Sequence, residues 1–155
     1  MAIHKIDGVD NVNNFPKKFV VLHSLVAVTK GDFLMIETDT TVTDYAKNGL
    51  GATVIKAVAS ASTGLEAALI VGVAAETTTA AGTVKIQVAG KFENANCHTD
   101  IVRGEGICVL NSTAGQGVPY ITSGSTRGLP VAVALEDAPS TGAATDIMIL
   151  DSGMF

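Results

Sequence analysis

The stretch Ala81-Gly82-Thr83-Val84-Lys85-Ile86-Gln87-Val88 decides the fold class of this 155-residue chain. After the glycine turn, aliphatic and polar residues alternate strictly, so the aliphatic residues share one face while Lys85 and Gln87 share the other. Turn signals such as Lys30-Gly31-Asp32 separate several runs of this kind. The pattern predicts an all-β fold, either a small barrel or a β-sandwich. The other alternating runs are residues 26–28, 34–36, 54–58, 70–75, 131–135 and 147–149.

Two segments do not follow the period of two. Leu65–Ile70 contains residues that tolerate a helix, so we expect at most one short helix there, or a loop that enters the next strand. Thr38–Leu50 is polar and rich in threonine and aspartate, which is typical of an exposed loop.

An internal repeat organises the chain. Val28–Ile36 matches Ile101–Val109 at an offset of 73, and Ile70–Glu76 matches Pro130–Glu136 at an offset of 60. The difference of 13 residues is assigned to the loop Thr38–Leu50. Two copies are too few for a solenoid, so we predict a pseudo-symmetric pair of halves that share one core. The predicted organisation is an N-terminal arm (1–20) and a single β domain (21–155) with halves at about 24–92 and 97–152.

The repeated basic-Gly-acidic step, Lys30-Gly31-Asp32 and Arg103-Gly104-Glu105, has a mechanical explanation. Glycine supplies the positive φ that a tight turn requires, and the flanking charges are expected to keep the tip in water. The step therefore predicts two equivalent exposed turns and no binding site.

Composition and charge exclude several functional classes. The net charge is −5, and no stripe of basic residues interleaved with aromatic ones is present, which argues against nucleic-acid binding. No run of 18 apolar residues exists, so no membrane span is predicted, and no apolar signal-type segment follows Met1. Charged residues are only 16% of the chain, which favours contact with other protein chains, including copies of itself.

No catalytic or cofactor-binding constellation is evident. The histidines His4, His23 and His98 are far apart in sequence, and Cys97-His98 with Asp100 fits no usual metal-ligand spacing, so a solvated loop is the better interpretation. Cys97 and Cys108 are interpreted as buried or incidental free thiols. We therefore expect no enzyme activity, no metal and no cofactor.

The arm carries apolar residues that a disordered tail would not need. Ile3, Ile6, Phe15 and Phe19 are candidates for contact with a larger protein assembly or a neighbouring subunit, for example by adding a strand to an exposed sheet edge. A frayed terminus is the alternative interpretation.

The order of strands and turns resembles a known family. Ile70-Val71-Gly72-Val73-Ala74-Ala75-Glu76, Arg103-Gly104-Glu105-Gly106-Ile107 and Leu129-Pro130-Val131-Ala132-Val133 are similar to the phage capsid cement or decoration proteins of the DUF2190-like group, over Ser24–Leu150. Met1–Pro16 and the loop Thr38–Leu50 depart from that pattern. The resemblance implies a protein made in the host bacterial cytoplasm that binds the major capsid protein on the outer surface of the virion. It also implies a homotrimer that stabilises the shell against internal DNA pressure.

Two other functional classes stay open. The first is another virion module with the same architecture, such as a tail, baseplate or head-fibre base. The second is a carbohydrate-binding β domain, which would need exposed aromatic platforms, and the chain offers only two tyrosines and five phenylalanines.

Overall fold

The computed structural model describes residues 16–36, 53–57, 70–109, 113–120, 130–139 and 143–151, and every regular element in them is a β-strand. The all-β prediction is confirmed, while the predicted loop Thr38–Leu50 and the helix-tolerant residues 65–69 lie outside the described residues. The strands are β1 (Lys18–Ser24), β2 (Phe33–Ile36), β3 (Thr53–Lys56), β4 (Ile70–Ala74), β5 (Gly82–Cys97), β6 (Gly106–Cys108), β7 (Val118–Pro119), β8 (Ala132–Ala134) and β9 (Ala143–Ile149).

The first five strands form a closed ring. The order is β1-β3-β2-β4-β5, and β5 pairs back onto β1 from Ser24↔Gly82 to Lys18↔Ala89. Only β1 and β3 run parallel within this ring. Closure places alternate side chains inside, where they are removed from water. The buried interior comprises Leu22, Val28, Leu34, Val54, Val71, Ala74, Val84, Ile86 and Val88.

A second ring is built on the continuation of β5. Strand β5 is 16 residues long, and its C-terminal part pairs with β9, which is followed by β8, β6 and β7. A parallel bridge, Cys97↔Gly117, joins the last strand back to β5. Between the two rings β5 passes through Gly90, at φ 90°, and a bulge between Phe92 and Ala95. One strand therefore belongs to both rings, which the sequence pattern did not predict.

Equivalent backbone hydrogen bonds recur in the two matched segments. Gly31 N–H donates to the carbonyl of Ala74 (2.9 Å), and Gly104 N–H donates to that of Ala134 (2.8 Å). The side-chain bonds repeat as well, since Thr29 N–H donates to the Asp32 carboxylate and Val102 N–H to that of Glu105. Further equivalent pairs are Thr78 N–H to Val28 O and Ala138 N–H to Ile101 O, and Ala75 N–H to Lys85 O and Leu135 N–H to Asp146 O.

The two repeated turns differ in their surroundings. Gly31 and Gly104 have φ of 99° and 83°, as the turn requires. The prediction that both tips are solvated is wrong for Asp32, which is only 3% exposed. Its carboxylate pairs with Lys56 Nζ at 2.8 Å and accepts a hydrogen bond from Asn96 Nδ2 at 3.0 Å. The buried charge is tolerated because a cation and two N–H donors compensate it.

Gln87 lies on the same face as Lys85, as the alternation predicts, but it is buried there. Its side-chain amide donates to the carbonyls of Ala89 (3.1 Å) and Lys91 (2.8 Å) where β5 passes between the rings. One detail of the predicted alternation is wrong. Residues 26–28 form no strand, and Val26 is 40% exposed while Val28 is buried. The alternation predicts which side chains share a face of a strand. Whether a given side chain is buried also depends on local bends of the chain and on hydrogen bonds to buried groups.

The rings pack through an aromatic side chain that enters a space left by a glycine. Phe33 points outward from the first ring and is 1% exposed. It lies where a Cβ on Gly117 would be 2.7 Å from its Cε2 and equally close to Ile107 Cγ2. Gly117 pairs in parallel with Cys97 as Val54 pairs in parallel with Ser24, so Gly117 occupies in the second ring the position of Val54 in the first. The missing side chain therefore leaves room for Phe33.

Candidate interaction surface

Phe19 is the one predicted contact residue that the structure describes. Ile3, Ile6 and Phe15 lie outside the described residues. Phe19 belongs to β1, so the last residues of the predicted arm form part of the first ring. The Phe19 side chain is 43% exposed, and Lys85 Nζ lies 4.4 Å from its ring centroid.

The alternation of β1 explains why Phe19 faces outward. Leu22 and Ser24 are buried inside the ring, whereas Phe19 and Val21 are on the opposite face, where Val21 is 51% exposed. Val21 is paired with Lys85 on β5. Two large apolar side chains and an ammonium group thus share one outer face, which is typical of a contact surface when it is contiguous.

A groove adjoins Phe19 where β1 meets the bend of β5. Its volume is about 260 Å³. Phe92 and Gln87, both buried, belong to its lining, together with Ala75 at the end of β4. We call this feature the Phe19 groove. Its charged lining residues are Lys17, Lys30, Lys85 and Glu93.

The lysines of the Phe19 groove differ from the others in their pairing. Among the six lysines that the structure describes, Lys18 pairs with Asp151, Lys56 with Asp32 (2.8 Å), and Lys91 with both Asp146 (3.1 Å) and Glu93 (3.4 Å). Within the described part of the chain, no carboxylate forms an ion pair with the remaining three, and these three line the groove: Lys17, Lys30 and Lys85.

The equivalent surface of the second half is neutralised. Strand pairing places Lys91 at the position of Phe19, and Asp146 at the position of Lys85. These two side chains form an ion pair at 3.1 Å, and the hydrogen bond that Lys91 donates to the Asp146 carboxylate is the main reason that the pKa of Lys91 is raised. The open positive charge is therefore a property of the first half and not of the fold.

The described residues show no geometry suited to thiol or metal chemistry. Cys97 and Cys108 are both buried, and burial raises the pKa of the Cys97 thiol to about 12, so the nucleophilic thiolate is disfavoured. His98 Nδ1 lies 3.3 Å from the Asp100 carboxylate. In the described ranges no three His, Cys, Asp or Glu side chains are grouped to hold a metal ion. The described residues contain no helix long and apolar enough to cross a membrane.

A second depression lies at the buried Asp32 side chain, next to Thr29, Asn94 and Asn96. Asn94 has a positive φ of 61°, in the bulge of β5. The polar groups at its centre bond one another, since Asn96 donates to Asp32 and the Asn94 amide donates to Asp146. This depression is explained by the packing of the two halves.

Sequence reasoning missed the three groove lysines as a group. They are separated by 13 and 55 residues, counted from Lys17 to Lys30 and from Lys30 to Lys85. The only local signal was the outward position of Lys85 in its alternating run. Their proximity depends on the pairing of β1 with β5 and on the hydrogen bonds that hold the Lys30 turn against the end of β4, and neither has a signature in a short window.

The fold is similar to that of a solved phage protein. The structure described as "head fiber gp8.5 N base in bacteriophage phi29" matches with a TM-score of 0.52 over 88% of this chain and 96% of that chain, at 11% sequence identity. At this identity the likeness establishes a shared fold alone. The chain matches no protein-family model and no curated protein. The resemblance to decoration proteins therefore rests on the residues quoted above.

Proposed function

We propose that this chain is a non-enzymatic structural protein of a phage virion that forms the base of a head-fibre-type appendage on the outer surface of the head. The observation that carries the proposal is the shared fold with a head-fibre base, which extends over 88% of this chain and 96% of the other. The sequence resemblance to capsid decoration proteins supports the same location independently. The major capsid protein is the proposed partner, and copies of the chain itself, as a homotrimer, are the second.

The architecture suits a permanent anchoring role. Strand β5 is hydrogen-bonded to β1 in the first ring and to β9 in the second, so separating the rings means breaking β5 away from one of these neighbours. The buried Phe33 and the hydrogen bond from Asn96 to Asp32 add contacts between the same two units. A module of this kind keeps its shape when a load is applied to one end, because its halves are not joined by a flexible linker.

Binding to an assembled head stabilises that head by mass action. A protein that binds the shell but not its dissociated subunits shifts the equilibrium toward the shell. If the chain is trimeric, simultaneous contacts multiply weak individual affinities into a long-lived attachment.

Copy number and position in purified virions test the proposal. We would quantify the 15.8 kDa chain relative to the major capsid protein by mass spectrometry and locate it by difference cryo-electron microscopy against particles that lack it. A small number of copies, at head positions that carry projections, supports the head-fibre base. Density on the tail or baseplate would contradict the head location. Absence of the chain from virions would refute the virion function.

A decoration protein is the second candidate, because the sequence resemblance covers Ser24–Leu150. It makes a different quantitative prediction in the same experiment. About one copy per capsid subunit, distributed over the whole shell, would favour decoration over a head-fibre base. Sedimentation of the free chain at three times the monomer mass would support the proposed homotrimer in either case.

A further inference from the structure

We propose that the Phe19 groove is the docking site for an acidic segment of the head protein that carries this chain. In this arrangement carboxylates of the partner pair with Lys17, Lys30 and Lys85, and an apolar side chain of the partner covers Phe19 and Val21. The inference rests on the proposed function, and it assigns the surface and the chemistry of the partner.

The charge distribution is the first argument. The chain has a net charge of −5, so an acidic partner is repelled by most of its surface. The groove lining carries three lysines against Glu93 alone. Since Glu93 accepts from Lys91 at 3.4 Å, part of its charge is already compensated outside the groove. The groove therefore provides a local positive potential that selects and orients a carboxylate-bearing surface.

The aromatic side chain is the second argument. Phe19 is 43% exposed and Val21 is 51% exposed, although both belong to a regular strand whose other face is buried. The ammonium of Lys85, at 4.4 Å from the ring centroid, covers one face of Phe19 and leaves another part of the ring open. An exposed aromatic side chain beside cations combines the two kinds of group that act as anchors in binding hot spots, because the ring contributes apolar area and the cations contribute specificity.

The second half of the repeat is an internal control for both arguments. At the position of Phe19 it has Lys91, and this lysine is neutralised by Asp146 at 3.1 Å. The same backbone can therefore carry a closed, self-paired surface. The first half carries an aromatic side chain and lysines that are unpaired among the described residues, so the difference is not imposed by the fold.

The size and charge of the groove favour a protein segment over nucleic acid. A volume of about 260 Å³ accommodates a side chain or two, not the continuous charged track that follows a phosphate backbone. With a net charge of −5 the rest of the surface repels polyphosphate. An acidic protein segment needs only local complementarity.

Matched charge reversals test the proposal. Lys30→Glu and Arg103→Glu change equivalent turns, both exposed, and each lowers the net charge by two units. The backbone bonds at these positions, from Lys30 N–H to Thr77 and from Arg103 N–H to Asp137, do not involve the changed side chains. Phe19→Ala tests the aromatic contact. Thermal melting of each variant verifies that it is folded.

The assay is binding of the full-length chain to purified heads assembled without it, measured by co-sedimentation at low and high salt. We expect Lys30→Glu and Phe19→Ala each to raise the Kd about 10-fold or more, and Arg103→Glu to change it less than about 2-fold. We also expect Lys30→Glu to weaken the salt dependence of binding, because exposed charge pairs are screened by salt.

The outcomes separate the two proposals. If the wild-type chain does not bind heads, the proposed function fails and the docking assignment fails with it. If the wild-type chain binds and Lys30→Glu binds as tightly as Arg103→Glu, only the docking assignment is overturned. If Lys30→Glu changes self-association of the free chain and not head binding, the groove is a contact between copies, which also overturns the assignment.

Discussion

The fit between Phe33 and Gly117 gives a prediction that depends on the tertiary structure alone. A Cβ at position 117 would lie 2.7 Å from Ile107 Cγ2, 2.7 Å from Phe33 Cε2 and 3.0 Å from Phe33 Cζ. Carbon atoms pack comfortably at about 3.5–4.0 Å. Phe33 and Ile107 are 1% and 0% exposed, so neither side chain can move into solvent to relieve the contact.

The expected cost of Gly117→Ala follows from these distances. Overpacking a filled core by a methyl group costs about 1–3 kcal/mol, while removal of a glycine stabilises by about 0.4–1 kcal/mol through the unfolded chain. The net expectation is a destabilisation of about 1–2 kcal/mol. For a domain of this size that corresponds to a decrease in Tm of about 2–8 °C.

A double-mutant cycle tests whether the cost arises at this contact. Phe33→Leu alone should destabilise by about 1–2 kcal/mol because it leaves a cavity beside Gly117. In the double variant the new methyl group occupies part of that cavity, so the combined loss should be smaller than the sum by about 1 kcal/mol. Urea unfolding followed by circular dichroism measures all three variants. Gly82→Ala is the matched control, since its Cβ would meet nothing within 4 Å.

Two results would refute this reasoning. The first is a Gly117→Ala variant as stable as the wild type, which would mean that the rings do not approach as described. The second is strict additivity of Phe33→Leu and Gly117→Ala, which would mean that the two positions are not in contact. Equal losses for Gly117→Ala and Gly82→Ala would indicate a general effect of replacing glycine.

Three further predictions concern buried polar groups. Asp32→Asn should destabilise the chain by about 1–3 kcal/mol in urea unfolding, because the partly exposed Lys56 loses its counter-charge. Glu105→Gln, at the equivalent and more exposed turn, should cost under about 1 kcal/mol. Equal costs would contradict the difference in burial between the two turns. Gln87→Met should raise the unfolding rate and cost about 1–2 kcal/mol, since two carbonyls lose a donor. Cys97 should resist maleimide labelling at neutral pH until the chain unfolds. Because its pKa is raised from 9.0 to about 12, it should also contribute a loss of stability as the pH rises through that interval, and this part of the loss should be absent in Cys97→Ala.

Much of the fold follows from short-range patterns. Alternation in 84–88 predicts a strand whose aliphatic face is buried, and Val84, Ile86 and Val88 are 0–3% exposed. The two basic-Gly-acidic steps predict positive φ at Gly31 and Gly104, and both have it. The internal repeat was readable because equivalent strands need equivalent aliphatic patterns. These features depend on neighbouring residues, and such dependence is visible in a sequence window.

The interaction surface depends on contacts between distant segments. Phe19 was a candidate because of its apolar character, but its environment exists only because β1 pairs with β5, more than sixty residues later in the chain. That pairing places Phe19 beside Lys85 and near Lys17 and Lys30. The sequence could identify Phe19 as a candidate contact residue, but it could not show which lysines surround it in the folded chain.

The sequence by itself determined the strand pattern, the turn glycines and the presence of two related halves, because backbone sterics and side-chain alternation act locally. Only the tertiary structure decided that β5 serves both rings, that Asp32 is buried while Glu105 is not, and that Gly117 leaves room for Phe33. Each of these results from docking one half against the other. Docking distinguishes two halves of similar sequence because each residue at the contact acquires neighbours that its counterpart lacks.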